Sequence, residues 1–229
     1  MFGRGRRSSA VMAADPRAEE PDDVDLVGPF DLEEAPDDDV HRLDLGALRV
    51  PALRGVQVQF QVEESTGKPL TVVVTDGRSA MELAVFAAPK TSPLWDDVRT
   101  EILETVRDTG GSEVEGPYGL ELRLRLPTSQ PGETVPGRMI GVDGPRWFLR
   151  AVVTGAAGQD PSAGPLLDET LGGIIVVRGD SAMPVRDPLP LRLPKEISEH
   201  PDGPGAEAEQ RSDSRPAIPV PGVRVSETR

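Results

Sequence analysis

Cysteine is absent from the 229 residues. A disulfide scaffold, a thiolate zinc site, an iron–sulfur cluster and a cysteine nucleophile are therefore excluded. Histidine is almost as scarce, with only His41 and His200. A histidine-rich metal site lacks material, and a Ser-His-Asp mechanism lacks a convenient base. Aromatic residues number eight: five Phe, two Trp and one Tyr. Apolar residues make 37% of the chain, below the ~45–50% of ordinary domains. No apolar run nears the ~20 residues that cross a bilayer. The opening Met1-Phe2-Gly3-Arg4-Gly5-Arg6-Arg7 is basic, but Ser8 to Asp15 is too short and weakly apolar for a signal peptide. A cytoplasmic setting is the expectation. No phosphate-binding loop, dinucleotide fingerprint or nucleophile elbow occurs. We expect no catalytic residue, no metal ligand set and no cofactor.

Acid is what the chain has in excess. It carries 39 acidic and 25 basic residues, a net −14, which disfavours nucleic acid as a partner because such affinity comes from neutralising phosphates. The charge is uneven. Residues 1–39 hold 12 acidic and four basic side chains, residues 40–195 hold 20 and 17, and residues 196–229 hold seven and four. Segment 1–39 cannot offset its ordering entropy by burial and is expected to be a disordered acidic tail. Phe30 is the one aromatic among its carboxylates, either incidental at the domain edge or an anchor for the tail. Residues 40–195 are expected to form a single domain, and residues 196–229 a second disordered tail.

Within the middle, Val56, Val58, Phe60 and Val62 alternate with Gln57, Gln59, Gln61 and Glu63, the period of a strand with one wet face. Ser65-Thr66-Gly67-Lys68 reads as a hairpin loop into the β-branched run after Leu70. Asp76-Gly77 reads as a two-residue turn into a third strand through Phe86. Ser92-Pro93 is expected to cap and open a helix over 93–109, with Leu94, Trp95, Val98, Ile102 and Val106 as its apolar stripe. Strands follow over 118–126, 138–142 and 146–154, the last two joined by a turn at Asp143-Gly144. A second helix spans about 160–171, a last strand 174–177, and the proline-rich 183–194 lies extended on the surface. The order βββ-α-βββ-α-β predicts an α+β fold: a mainly antiparallel sheet of six to seven strands, with two helices packed on one face.

Asp96 and Asp97 suit the helix dipole, and the run Asp37-Asp38-Asp39 rarely converges on a cation. The densest cluster is Gly141 to Arg150. Trp147, Leu149, Ala151 and Val153 alternate as core; Arg146, Phe148, Arg150 and Val152 take the other face. Trp95 and Trp147 are expected to anchor one core. Arg123 and Arg125 leave the leucine face of their own strand. If strand 138–142 holds the two outer faces together, Arg123, Arg125, Arg146 and Arg150 ring Phe148. That makes a candidate surface for a small anionic ligand or a protein partner. The acidic tail would then be an intramolecular competitor, since guanidiniums grip carboxylate and phosphate in a planar fork.

The segments Gly28-Pro29-Phe30-Asp31, Arg42-Leu43-Asp44-Leu45-Gly46, Leu48-Arg49-Val50-Pro51, Phe86-Ala87-Ala88-Pro89, Leu94-Trp95, Glu115-Gly116-Pro117-Tyr118-Gly119, Gly141 to Arg150, Val176-Val177-Arg178-Gly179 and Arg186 to Leu191 together resemble the actinobacterial domain-of-unknown-function family 3710, from about Gly28 to Pro194. The resemblance carries over no catalytic residue. Its members are often encoded near the deoxyuridine nucleotide hydrolase, which points toward nucleotide housekeeping. The element order is similar to the Mog1/PsbP-type sandwich, an analogy of fold alone. The expected function is a non-catalytic binding or protein-interaction module. The alternative is an accessory enzyme or nucleotide-binding protein.

Overall fold

A computed structural model describes residues 28–62, 69–128 and 130–194. The disorder expected of residues 196–229, that expected of the first tail up to residue 27, and the loop expected at 65–68 lie outside the described residues. In chain order the strands and helices are β1 (Phe30–Asp31), β2 (Arg42–Asp44), β3 (Leu48–Pro51), β4 (Gln57–Val62), β5 (Pro69–Thr75), β6 (Ser79–Ala87), α1 (Trp95–Val106), β7 (Ser112–Gly116), β8 (Gly119–Pro127), β9 (Thr134–Gly144), β10 (Trp147–Gly155), α2 (Ala156–Gln159), α3 (Pro165–Gly172) and β11 (Ile175–Val176). The fold class is α+β. A seven-stranded antiparallel sheet runs β4-β5-β6-β10-β9-β8-β7. A small sheet, β1-β11-β3-β2, lies apart from it.

The two helices expected on one face take opposite faces. One face of the large sheet, the inner face, packs Val72, Val74, Leu83, Val85, Ile140, Trp147, Leu149 and Ala151 against Leu48, Val50 and Val176 of the small sheet and Leu167 and Leu171 of α3. The other, the helix face, packs Leu122, Leu124, Leu126, Met139, Phe148 and Val152 against Trp95 and Ile102 of α1. Trp95 and Trp147 are both buried, but they anchor two cores rather than one. Alternation along β10 separates the two sets as a strand must.

The small sheet corrects the expected boundary at residue 39. Phe30 N donates to Ile174 O at 2.8 Å and Gly28 N to Gly172 O at 3.0 Å, and β1 runs parallel to β11. Asp38 takes a two-pronged grip from Arg42, at 2.6 and 2.8 Å, while Arg42 Nε donates to Gly173 O. Residues 28–39 are thus part of the folded unit.

The expected start of the first helix also shifts. Leu94, not Ser92, precedes the first helical residue, and no local side chain caps it. Asp143 of β9 does so from 49 residues away, accepting from Leu94 N at 2.7 Å and Trp95 N at 3.1 Å. The expected second helix divides at Gly164-Pro165 into a 3₁₀ turn, Pro161–Ala163, and α3. The proline-rich segment is a strap. Leu189 N donates to Val85 O and Arg192 N to Leu45 O, so it ties the large sheet to the loop between β2 and β3. Arg186 forks onto Glu101 of α1 at 2.6 and 2.9 Å. Among the described residues, no helix is long and apolar enough to cross a membrane.

Candidate functional site

The sheet register dismantles the five-residue face expected from the sequence. Leu122 pairs with Met139, and Met139 with Val152, so the leucines of β8 share the helix face with Phe148 and Arg150. Arg123 pairs with Arg138, and Arg138 with Val153, which places Arg123 and Arg125 on the inner face. The leucine side of β8 and the Trp147 side of β10 are therefore opposite sides of one sheet. Phe148 is 2% exposed, stacked between Trp95 at 5.9 Å and Phe86 at 6.1 Å. Arg150 is buried with its guanidinium 5.6 Å from the centre of the Phe86 ring, and burial lowers its pKa against the opposing pull of Glu82. Arg146 is exposed in the turn after Pro145, at φ +62°. The β9–β10 turn is thus Pro145-Arg146, since Gly144 pairs with Trp147. Among the described residues, no exposed aromatic is ringed by four arginines.

The residues from Gly141 to Trp147 are instead occupied with packing. A methyl group on Gly141 would overlap the Trp95 ring, and one on Gly144 the Trp147 ring. Asp143 caps α1, and Trp147 Nε1 donates to Asp31 at 2.7 Å. Trp95 Nε1 finds Leu120 O at 2.7 Å. Large rings are admitted only where glycine leaves space, and each indole N–H has a partner.

Charge gathers elsewhere, where β8 and β9 pass α3 on the inner face. Arg138 is 1% exposed and forks onto Glu121, itself 2% exposed, at 3.1 and 3.0 Å. Arg123 reaches the same carboxylate at 3.1 Å. The remaining nitrogen of Arg138, Nη1, has no hydrogen-bond partner among the described residues. It faces Asp168 of α3 at 3.8 Å, too long for a hydrogen bond. Burial pushes the Asp168 carboxyl up from the usual range, against the pull of Arg138. Tyr118, in the turn between β7 and β8, is pushed up to about 12 by burial first and by Asp168 second. Gly116 leaves room for the Glu121 carboxylate, which a methyl group there would meet at 2.9 Å. Arg125 stands exposed at the rim.

Of the five expected face residues, this cluster keeps Arg123 and Arg125; Phe148, Arg146 and Arg150 fall outside it. Tyr118, Glu121, Arg138 and Asp168 were not among the expected site residues. In the β8–β9 pair Arg123 stands directly opposite Arg138, and two facing guanidiniums call for a carboxylate between them, but that register was not legible in the sequence. Chemically, the cluster offers guanidinium N–H groups to an oxyanion. It holds no nucleophile beside a base, and a phenol with a pKa of about 12 stays a neutral donor at pH 7. Among the described residues, no three carboxylates or histidines come together as metal ligands.

A family model described as Protein of unknown function (DUF3710) matches residues 28–200. No curated protein matches the chain. Among solved structures, the solution structure of cyanobacterial PsbP (CyanoP) from Synechocystis sp. PCC 6803 is similar, with 12% identity over 64% of this chain and 99% of that one, at a TM-score of 0.35.

Proposed function

We propose, for a chain that belongs to the DUF3710 family, a non-catalytic binding role in which the Arg123–Arg125–Arg138 end of the inner face takes a carboxylate or phosphate group. The observation that carries this proposal is the spare nitrogen of Arg138, buried and unbonded beside Asp168. A buried donor left unmade costs about 1–3 kcal/mol, and an oxyanion that displaces the Asp168 side chain and accepts from Arg138 Nη1 recovers that cost. Burial raises the Asp168 carboxyl above its ordinary range, which lessens its repulsion of an incoming anion.

The acidic residues Glu19, Glu20, Asp22, Asp23 and Asp25 carry such groups on the same chain. Gly28 is bonded to Gly172, four residues along α3 from Asp168, a rise of about 6 Å. Tethering at that range gives a high effective concentration, so this acidic stretch competes with an outside ligand. The proposal places the chain in the cytoplasm, which fractionation of the native cell checks. Inorganic phosphate is the probe. Its phosphorus NMR line should broaden saturably with the full chain, and more strongly with a chain starting at Gly28. No broadening with either would sink the binding role. A second reading, accessory catalysis on nucleotides, draws on the upward shifts of Asp168 and Tyr118, since perturbed groups gather at active sites. Turnover of nucleoside phosphates that disappears in Asp168→Asn would favour it over binding alone.

A further inference from the structure

We propose that the chain pairs with a second copy of itself through the outer edge of β4, antiparallel across a two-fold axis at Gln59. A sheet edge is a row of unpaired N–H and C=O groups, and folded proteins blunt it with charge, proline, a bulge or brevity. Three of the four edges here carry such a device. The large sheet ends on one side in β7, whose five residues include Glu113 and Glu115. The small sheet ends in β1, two residues long, and in β2, which carries Arg42 and Asp44. The fourth edge, β4, is Gln-Val-Gln-Phe-Gln-Val. It has no charge, proline or glycine, and its one irregularity lies at the end, between Gln61 and Val62. Among the described residues no strand pairs with its outer side.

The occupant follows from the pattern of the strand. Gln61 bonds Thr71 at 2.9 Å, while Val58 and Phe60 turn to the inner face and stay only partly buried. In an antiparallel pair, opposite residues share a face. A two-fold at Gln59 sets Gln57 against Gln61, Val58 against Phe60 and Gln59 against itself. Both faces of the sheet then continue from one copy into the other, apolar meeting apolar and amide meeting amide, with no charge opposed. Such an isologous contact is closed and stops at two copies. Each copy carries a net −14, so added salt strengthens the pair by screening, the reverse of a contact made by ion pairs.

The native chain has no cysteine, which makes single cysteines clean reporters. Directly opposite residues lie about 4.5–5.5 Å apart at Cα, inside the disulfide range. Two copies of Gln57 would be four rungs apart, roughly 13 Å. Full-length Gln59→Cys should cross-link rapidly under mild oxidation, Gln57→Cys and the β7 control Ser112→Cys at least tenfold more slowly. Sedimentation of the native chain should show a concentration-dependent dimer that Gln59→Lys abolishes with its circular dichroism unchanged. A monomer at every concentration and salt overturns the proposal, and so does equal cross-linking of the three cysteine variants. If another segment of the same chain covers β4, the native chain sediments as a monomer and Gln59→Cys does not cross-link.

Discussion

The two faces of the large sheet are both covered, but by different means. On the helix face, α1 lays Trp95 onto Phe148 in the space that Gly141 leaves, and Asp143 fixes the start of that helix. Charge is buried there too, with Arg150 of the central strand against Phe86 and 3.7 Å from Glu82, and Arg99 paired to Glu113 and Asp96; the Nε of each is buried and bonds nothing among the described residues. The inner face begins as an aliphatic core and ends in buried ions at Glu121 and Arg138. Apolar packing stabilises a fold without qualification, at roughly 25 cal/mol per Å² removed from water. A buried ion cluster does not, because desolvation consumes much of the attraction. Both faces thus hold buried guanidiniums; among the described residues the inner face differs in that its buried carboxylate, Glu121, is shared between Arg138 and Arg123, with Asp168 at 3.8 Å from the spare Arg138 nitrogen.

Substitutions that break this contrast should differ in kind. Trp147→Ala should cost on the order of 3–5 kcal/mol in denaturant melts, as large aromatic truncations do, and it also strands Asp31. A loss under about 1 kcal/mol would show that Trp147 is not a core anchor. Glu121→Ala should cost a similar ~3–5 kcal/mol, because it removes the forked hydrogen bonds of a buried Arg138 and leaves only Asp168, 3.8 Å away, as its counterion. The sharper comparison is the double replacement Glu121→Leu with Arg138→Met. It should regain most of that loss or exceed the native stability, as buried ion pairs replaced by apolar groups of similar volume often do. If the double variant is as unstable as Glu121→Ala, the ion pair is structural and the contrast fails.

A smaller effect tests the helix face. Gly141→Ala forces a methyl into the Trp95 ring and should cost about 1–3 kcal/mol. Near-UV circular dichroism should report the displaced indole. An unchanged melt would mean that α1 sits loosely on the sheet.

The smallest expected effect is at Asp168. Its folded pKa is raised, so the carboxylate holds its proton more tightly in the native state than in the unfolded one. Its contribution to stability is thus present below the ordinary carboxyl pKa and lost as pH rises through the folded value. Asp168→Asn, which mimics the protonated acid, should leave stability at pH 7 unchanged or slightly higher and flatten this acid-side slope. A clear loss at neutral pH would show that its attraction to Arg138 outweighs its burial. Tyr118 is the sole tyrosine, so phenolate absorbance reads it alone. It should titrate near pH 12 while the fold persists; a midpoint near 10 in the folded state would remove it from the buried cluster.

What the sequence discloses follows its range. Helix α1 and the hairpin strands are legible because their apolar periods are local, and Val58–Phe60 or Leu122–Leu124–Leu126 need no partner to be read. The small sheet is not, since β1, β2, β3 and β11 are two to four residues long and are held by chain neighbours far apart in sequence. The alternation of Trp147 and Phe148 was readable, yet alternation alone assigns two faces without saying which is wet. Here neither is wet at that point, because α1 covers one side and the small sheet the other. The same ambiguity set Arg123 and Arg125 beside Phe148 in the expected surface; only the pairing of Arg123 with Arg138 resolves the side. Asp143 as a helix cap was out of reach for the same reason, its partners lying 48 and 49 residues away.

The central claim is that the polar end of the inner face, and not the buried Arg150 of the helix face, receives an anionic group. Amide shift mapping of the full chain during a titration with inorganic phosphate, against chloride at equal ionic strength, tests it most directly. Saturable shifts should concentrate at Tyr118, Arg123, Arg125, Arg138 and Asp168, with Phe86 and Arg150 unmoved. Shifts centred on Arg150, or none that differ from chloride, would contradict it.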